Sequence, residues 1–298
     1  MCGIVGLMFK KPAWDSRLGE LLVPMLVGMT ERGPDSAGLA VYGTPLAEGS
    51  RLSLFALDGQ PDWQGLMDGL QLRHEGRHEL KATGAHAVLV TTADADGLKV
   101  YLHAHHPQIA VLSVGQRIDL YKDTGTPAQI AERYGFSALQ GSHAVGHTRM
   151  ATESAVTPAH AHPFTAGRDF CLVHNGSLSN PHLVRRKLEP LGVHFDTDND
   201  TEAACRFLEW RMQEGDDIDA AIEKGFDELD GFFTFLIGTG DGLALVRDPF
   251  ACKPAIVAET DDYVAIASEF RSLAHLPGVK HASLFEPQPR TIYSWKRP

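Results

Sequence analysis

Cys2 stands directly after Met1, at the head of the run Cys2-Gly3-Ile4-Val5-Gly6. Initiator methionine is readily trimmed before a small residue, and trimming would give the thiol's own residue a free α-amine. Such an amine has an ordinary pKa of roughly 7.7–8.0, so a useful fraction is neutral at neutral pH. It can act as general base toward the thiol, directly or through a water. A thiol is also the best side-chain nucleophile under those conditions. The glycines leave space for a ligand to approach the backbone. A buried cysteine in an edge strand has the same local sequence, and this block alone leaves both readings open.

Four later blocks carry polar groups in loop-like settings. Arg32-Gly33-Pro34-Asp35-Ser36-Ala37-Gly38 lies between a helical and a strand-like stretch. It reads as turn chemistry or as one wall of a polar pocket. Gly146-His147-Thr148-Arg149-Met150-Ala151-Thr152 ends a strand-like run, where an arginine suits bidentate capture of a carboxylate or is an ordinary surface residue. Val173-His174-Asn175-Gly176-Ser177 follows another apolar run. Asn-Gly there reads as a tight turn, or as an oxyanion hole built from the Asn175 amide and the Gly176 N–H. Asp198-Asn199-Asp200-Thr201-Glu202 precedes a helix. It can supply an N-cap or a carboxylate for a substrate ammonium.

The elements that must position these groups are mostly strands. β-rich runs are read at 4–9, 39–42, 87–91, 100–102, 110–114, 144–148, 170–174, 232–237, 243–246, 255–258 and 263–267. Several are bounded by Gly, Asp or Pro. Helical spacing appears at 17–30, where Leu18, Leu21, Leu22, Met25 and Leu26 recur on one face, and again at 180–191, 201–213 and 218–229. Antiparallel strands with segregated helices predict α+β layers rather than a doubly wound parallel sheet. No Pro/Gly/Ser linker divides the chain, so one domain over 1–298 is expected, with the least readable stretch at 43–141.

Bulk properties narrow the class. The formal net charge of −11 implies no basic surface for nucleic acid. No apolar run has membrane-spanning length, and the N-terminus lacks the pattern of a secretory signal. Cys2, Cys171, Cys205 and Cys252 are scattered without a CxxC pair, which argues against a disulfide framework or zinc site and for a reducing, cytoplasmic setting. Histidines cluster at 103, 105 and 106 and again at 160 and 162. No carboxylate or thiol completes a recognised metal spacing, so they read as surface or structural residues. No nucleotide loop, flavin, PLP or iron–sulfur signature is present.

Taken in order, CGIVG, RGPDSAG, GHTRMAT, AHPF (Ala161–Phe164), HNGSLSN and DNDTEA resemble the class II glutamine amidotransferases of the Ntn-hydrolase superfamily. The resemblance covers about residues 2–210 directly. Beyond that, Arg247-Asp248-Pro249, Lys253-Pro254 and Ala267-Ser268-Glu269 look like the family's closing strands, without a primary catalytic role. It implies a four-layer αββα sandwich with antiparallel sheets. It also implies Cys2 as nucleophile with its α-amine as base, and Asn175 and Gly176 as oxyanion hole. Arg149 would hold the glutamine α-carboxylate and Asp200 its α-ammonium. Arg32 would shape the site and its closure, with His147 and Thr152 of the same arginine block beside the substrate. One departure is Met150, where many members have Trp.

The resemblance implies glutamine, or a related γ-glutamyl amide, as substrate. The stretch between 43 and 143 is longer than in compact members and looks like the glutamate-synthase branch. Little chain remains for a synthase domain, so a separate synthase subunit in a hetero-oligomer is expected. The small amidotransferase component of N-methylglutamate synthase is the nearest such setting. FMN would then sit in a partner subunit, with no cofactor in this chain. Two readings from other classes use the residues differently. An Ntn amide hydrolase acting on another amide would keep Cys2 without needing the Arg149/Asp200 pair. A non-catalytic assembly component would tolerate loss of Cys2, Asn175 or Asp200, and all are present.

Overall fold

In the computed structural model, which describes residues 2–151 and 156–297, two antiparallel sheets stack face to face between two layers of helices. The chain begins with β1 (Gly3–Phe9), α1 (Leu18–Val27) and β2 (Ser36–Tyr42). It continues through β3 (Ser50–Ala56), α2 (Trp63–Arg73), β4 (His78–Thr83), β5 (His86–Thr91), α3 (Ala95–His105) and β6 (Ile109–Gly115). Next come β7 (Ile118–Thr124), α4 (Pro127–Arg133), β8 (His143–Arg149), β9 (Phe164–Thr165) and β10 (Cys171–Leu178). Three helices follow: α5 (Pro181–Leu188), α6 (Asp200–Gln213) and α7 (Ile218–Glu228). The last strands are β11 (Gly231–Gly238), β12 (Gly242–Arg247), β13 (Ile256–Glu259), β14 (Tyr263–Ala267), β15 (Ser283–Phe285) and β16 (Ile292–Lys296).

The first sheet runs β15-β13-β14-β1-β8-β2-β7 and the second β16-β12-β11-β10-β9. Side chains alternate across each strand, so every strand feeds two cores. On β1, Ile4 and Met8 point between the sheets, where they meet Val173, Leu236 and Leu245. Val5, Leu7 and Phe9 point outward to the apolar face of α1, with Leu18, Leu22, Met25 and Leu26. The second sheet turns Phe233, Phe235 and Ile237 outward onto Phe207 and Leu208 of α6 and Ile222 of α7. This is the expected αββα sandwich.

The long stretch after β2 builds a sheet of its own, in the order β4-β5-β3-β6, all antiparallel. Its β-α-β-β-α-β sequence is the split βαβ arrangement. Leu52, Leu54, Leu66, Leu70, Leu89, Leu98 and Leu102 form its separate core under α2 and α3. Its other face leans on β7. Ser53 Oγ accepts the Leu120 N–H at 2.8 Å, and Arg51 pairs with Asp119 at 3.0 Å. The sequence reading of a strand at 100–102 is corrected here: those residues lie inside α3. Asp94 caps that helix by accepting from Gly97 N at 2.8 Å, and the Leu98/Leu102 spacing seats it on the insert's sheet. Among the described residues no helix is long and apolar enough to cross a membrane.

Asp169 joins insert to body. Its carboxylate accepts N–H bonds from Gln116, Arg117 and Ile118 at 2.8, 2.8 and 2.9 Å, fastening the β6–β7 turn beside the start of β10. Its φ of 52° is left-handed, a region aspartate tolerates better than most side chains. Replacing Asp169 with Ala is expected to cost about 1.5–3 kcal/mol in urea unfolding. Asp169→Asn, which keeps one acceptor oxygen, costs less. Equal midpoints for Ala and wild type would show that the clamp contributes nothing.

Candidate active site

The same alternation that builds the inter-sheet core also assembles a polar cluster at one end of it. Cys2 continues the Ile4/Met8 series of β1. Gly3 pairs with Thr148, which sets Arg149 of β8 opposite Cys2, on the face that Val145 opens. On β14 the series Val264, Ile266 leads to Ser268, and on β10 Cys171, Val173 leads to Asn175 and Ser177. Four strands thus deliver Cys2, Arg149, Ser268 and Asn175 to one mouth of the sandwich.

Cys2 is half-buried, and its Sγ lies 4.0 Å from the Met150 carbonyl. Arg32 donates from Nε to the Cys2 carbonyl at 2.9 Å, and its other arm pairs with Glu269 at 2.9 Å. Asp35 closes the turn beside β8: its N–H reaches the Arg149 carbonyl at 3.1 Å, and its Oδ2 accepts Ala151 N–H at 2.8 Å. Asn175 donates from Nδ2 to Ser268 Oγ at 3.0 Å. Next to it, Gly176 has φ +146°, and a Cβ there would sit 1.8 Å from the Phe232 carbonyl. No other residue fits that position, where the backbone packs directly against β11 and the His174 ring.

Beneath this surface lies a shell of buried histidines. His147 donates from Nε2 to the His174 carbonyl at 3.1 Å and stacks on His162 with ring centroids 4.0 Å apart. The Thr201 hydroxyl meets His162 Nε2 at 2.9 Å and His174 Nδ1 at 3.0 Å, with Asp200 Oδ1 at 3.3 Å. Burial pushes His147 down to about 3 and His162 well below the ordinary range. His174 is lowered as well, by burial that the nearby Asp200 carboxylate partly opposes. The rings are therefore neutral at neutral pH, and they hold strands and helix together as hydrogen-bonding wedges rather than as charges.

The N-terminus of α6 is tied into the same cluster. Asn199 is the cap, accepting Thr201 N–H at 2.8 Å. Glu202 accepts N–H bonds from Asp196 and Thr197, both at 2.7 Å, and so folds the approach to the helix. Asp200 is thereby released from capping. Its Oδ2 accepts Leu178 N–H at 2.9 Å, which anchors the end of β10. Its side chain keeps 25% exposure, so the carboxylate faces both the strand and the cleft.

The structure brings together Cys2, Arg32, Arg149, Asn175, Gly176 and Asp200. His147 has no exposed surface and sits under the cleft as a strand-to-strand contact. Thr152 lies outside the described residues. Ala267-Ser268-Glu269, expected only to close the sheet, instead sends Ser268 to the Asn175 amide and Glu269 to Arg32. His162, His174 and Thr201 were also not foreseen as site residues. The one sequence signal for Ser268 was its place one step past Val264 and Ile266 on the inward face of a strand.

Comparison with known proteins gives a consistent picture. Residues 147–275 match the family model described as glutamine amidotransferase domain. The chain is 45% identical to the glutamine amidotransferase-like protein GlxB of Rhizobium meliloti (strain 1021), over 99% of this chain and 98% of that one. It is 31% identical to a putative glutamine amidotransferase of Methanothermobacter thermautotrophicus, over 98% and 99% of the two. Among solved structures, the glutamine phosphoribosylpyrophosphate amidotransferase of B. subtilis superposes with a TM-score of 0.61 at 18% identity, a likeness of fold. It covers 99% of this chain, and the chain spans about half of that structure, 49%.

The buried histidines set an acid limit. Burial holds His147 at about 3 and His86 and His143 at about 4, against 6.5 when exposed. Below pH 6.5 the unfolded chain takes up protons that the folded chain refuses, so stability is full above that pH and falls as pH drops toward 4. Each such ring steepens the fall by up to about 1.4 kcal/mol per pH unit. Urea unfolding at about pH 7 and about pH 5 should show the loss, and His147→Gln should make it shallower. A fall of equal steepness in the variant would contradict the assignment.

Proposed function

Because the chain belongs to the class II glutamine amidotransferase family, we propose that it hydrolyses the side-chain amide of glutamine through a thioester on Cys2. The observation that carries this is the convergence of Cys2, Arg149, Asn175-Gly176 and Asp200 at one mouth of the inter-sheet cleft. In the proposed reaction, removal of Met1 frees the Cys2 α-amine, which takes the thiol proton. The thiolate attacks glutamine Cδ, and the resulting oxyanion is held by the second Asn175 N–H and the Gly176 N–H. Collapse breaks the C–N bond, and the protonated α-amine returns its proton to the departing ammonia. Water then cleaves the thioester and frees glutamate.

Arg149 and Asp200 are assigned the two ends of the amino-acid head group. Their charges suit a free α-carboxylate and α-ammonium, and asparagine would fall one methylene short of the thiol. Arg32 acts through the backbone: it holds the Cys2 carbonyl while Glu269 holds Arg32. His147 acts as a support of the oxyanion strand through its bond to the His174 carbonyl. Thr152 is assigned to the substrate side of the arginine block on the motif alone.

The nitrogen released here is proposed to pass to a separate synthase subunit. We place the chain as the small amidotransferase component of a glutamate-synthase-like N-methylglutamate synthase, whose partner carries FMN, in a cytoplasmic setting. The length of the chain and of the stretch inserted after β2 supports that setting. The insert and the sandwich are proposed to work as one amidotransferase domain.

The test is glutamate release from glutamine by the purified chain, alone and with co-purifying partners. Cys2→Ala is expected to lower kcat by at least about a hundredfold, to background. Arg149→Lys, which loses the bidentate fork, is expected to raise KM about tenfold with a smaller change in kcat. Glutamate release that survives Cys2→Ala would overturn the thioester route.

A further inference from the structure

We propose that Ser268 is the positioning residue of the oxyanion site: its hydroxyl fixes the Asn175 amide so that one N–H is kept for the reacting oxygen. The proposal rests on the glutaminase reading and extends it to a residue outside the motif blocks. Ser268 is buried, with 4% exposure, at the end of β14. It is fastened twice to the nucleophile's strand. Its Oγ accepts the Ile4 N–H at 3.0 Å, and its own N–H reaches the Ile4 carbonyl at 3.1 Å. Ile4 is two residues from Cys2, so Ser268 is rigidly tied to the position of the thiol.

The same oxygen accepts Asn175 Nδ2–H at 3.0 Å, across the gap between the two sheets. A serine hydroxyl has two lone pairs, and both are now in use. Asn175 is 2% exposed, and its Oδ1 accepts no hydrogen bond of ordinary geometry. The bond to Ser268 holds the Nδ2 side of the amide, and the buried His147 ring interacts with the same side chain. A primary amide has two N–H groups. With one held by Ser268, the other remains for the cleft beside Gly176. A rotated amide would instead turn Oδ1, an acceptor, toward developing negative charge and repel it. Ser268 thus couples the sheet that carries the nucleophile to the strand that carries the oxyanion donor. It touches neither substrate nor reacting atoms.

The experiment compares wild type, Ser268→Ala, Ser268→Thr, Asn175→Ala and the Ser268→Ala/Asn175→Ala double variant. Glutamine hydrolysis is measured alongside the ¹⁵N-edited spectrum of the side-chain amides. The Asn175 signals are identified by their loss in Asn175→Ala. Ser268→Ala should lower kcat about tenfold to a hundredfold with KM nearly unchanged, and should move the Asn175 signals. Ser268→Thr, which keeps the hydroxyl, should recover most of the rate. In the Asn175→Ala background, Ser268→Ala should have no further effect, whereas a merely structural serine would cost the same factor in both backgrounds. If Ser268→Ala misfolds, Ser268→Cys, a poorer acceptor of similar shape, takes its place. Unchanged kcat, unchanged Asn175 signals or additive losses would overturn the proposal. A wild type that leaves glutamine intact counts against the glutaminase reading instead, and the Asn175 signals alone then decide the role of Ser268.

Discussion

The antiparallel register of β1 between β8 and β14 is the constraint on which the cleft depends. Gly3 opposite Thr148 and Val5 opposite Ala267 fix where Cys2 lies relative to Arg149 and Ser268. Side chains alternate with a period of two, so a slip of one residue would turn Cys2 toward α1 and bring Gly3 into the cleft. The slip is resisted by burial: Ile4 and Met8 would leave the inter-sheet core, and Val5, Leu7 and Phe9 would be forced into it. At roughly 1.5–3 kcal/mol for each large apolar side chain, the two cores hold the register far more strongly than any polar contact in the cleft. The geometry of the candidate nucleophile is therefore a consequence of apolar packing.

The polar groups then refine a position that the packing has already chosen. Each is held by a donor or acceptor from a neighbouring element. Asp200 is pinned by Leu178 N–H, Arg32 by the Cys2 carbonyl, Asn175 by Ser268, and His147 by the His174 carbonyl. The shell beneath is neutral because desolvation outweighs the pull of nearby carboxylates on the rings. Arg32 and Arg149 are the buried arginines of the cluster, both beside the strand end that carries Cys2.

Much of this was readable from the chain. The inward series on β1, β8 and β10 follows from strict alternation, and the ordered motif blocks lie at the start of β1 and at the ends of β8 and β10. The α6 boundary was readable in Asp198-Asn199-Asp200-Thr201-Glu202, although the cap is Asn199 and Asp200 turns instead to the Leu178 N–H of β10. The insert was not readable. Leu98 and Leu102 mark a helix, but Val100, Tyr101 and Leu102 together mimic a strand, and only packing against the separate sheet decides between them. Ser268 and Glu269 were undervalued because their importance lies in partners more than 90 residues away in sequence, at Asn175 and Arg32. His162 and His174 carry no local signature, since a buried histidine is identified by what surrounds it.

The most direct test of the central claim is to trap the nucleophile. The purified chain is incubated with an electrophilic glutamine analogue, a diazoketone in place of the side-chain amide, and then mapped by intact-mass and peptide mass spectrometry. One equivalent of label on Cys2 of a chain lacking Met1, blocked by excess glutamine, is the predicted result. Cys252 is the exposed cysteine of the fold. Label on Cys252 with Cys2 unmodified, or a Met1 that is retained while glutamine gives no protection, would contradict an N-terminal cysteine nucleophile in this cleft.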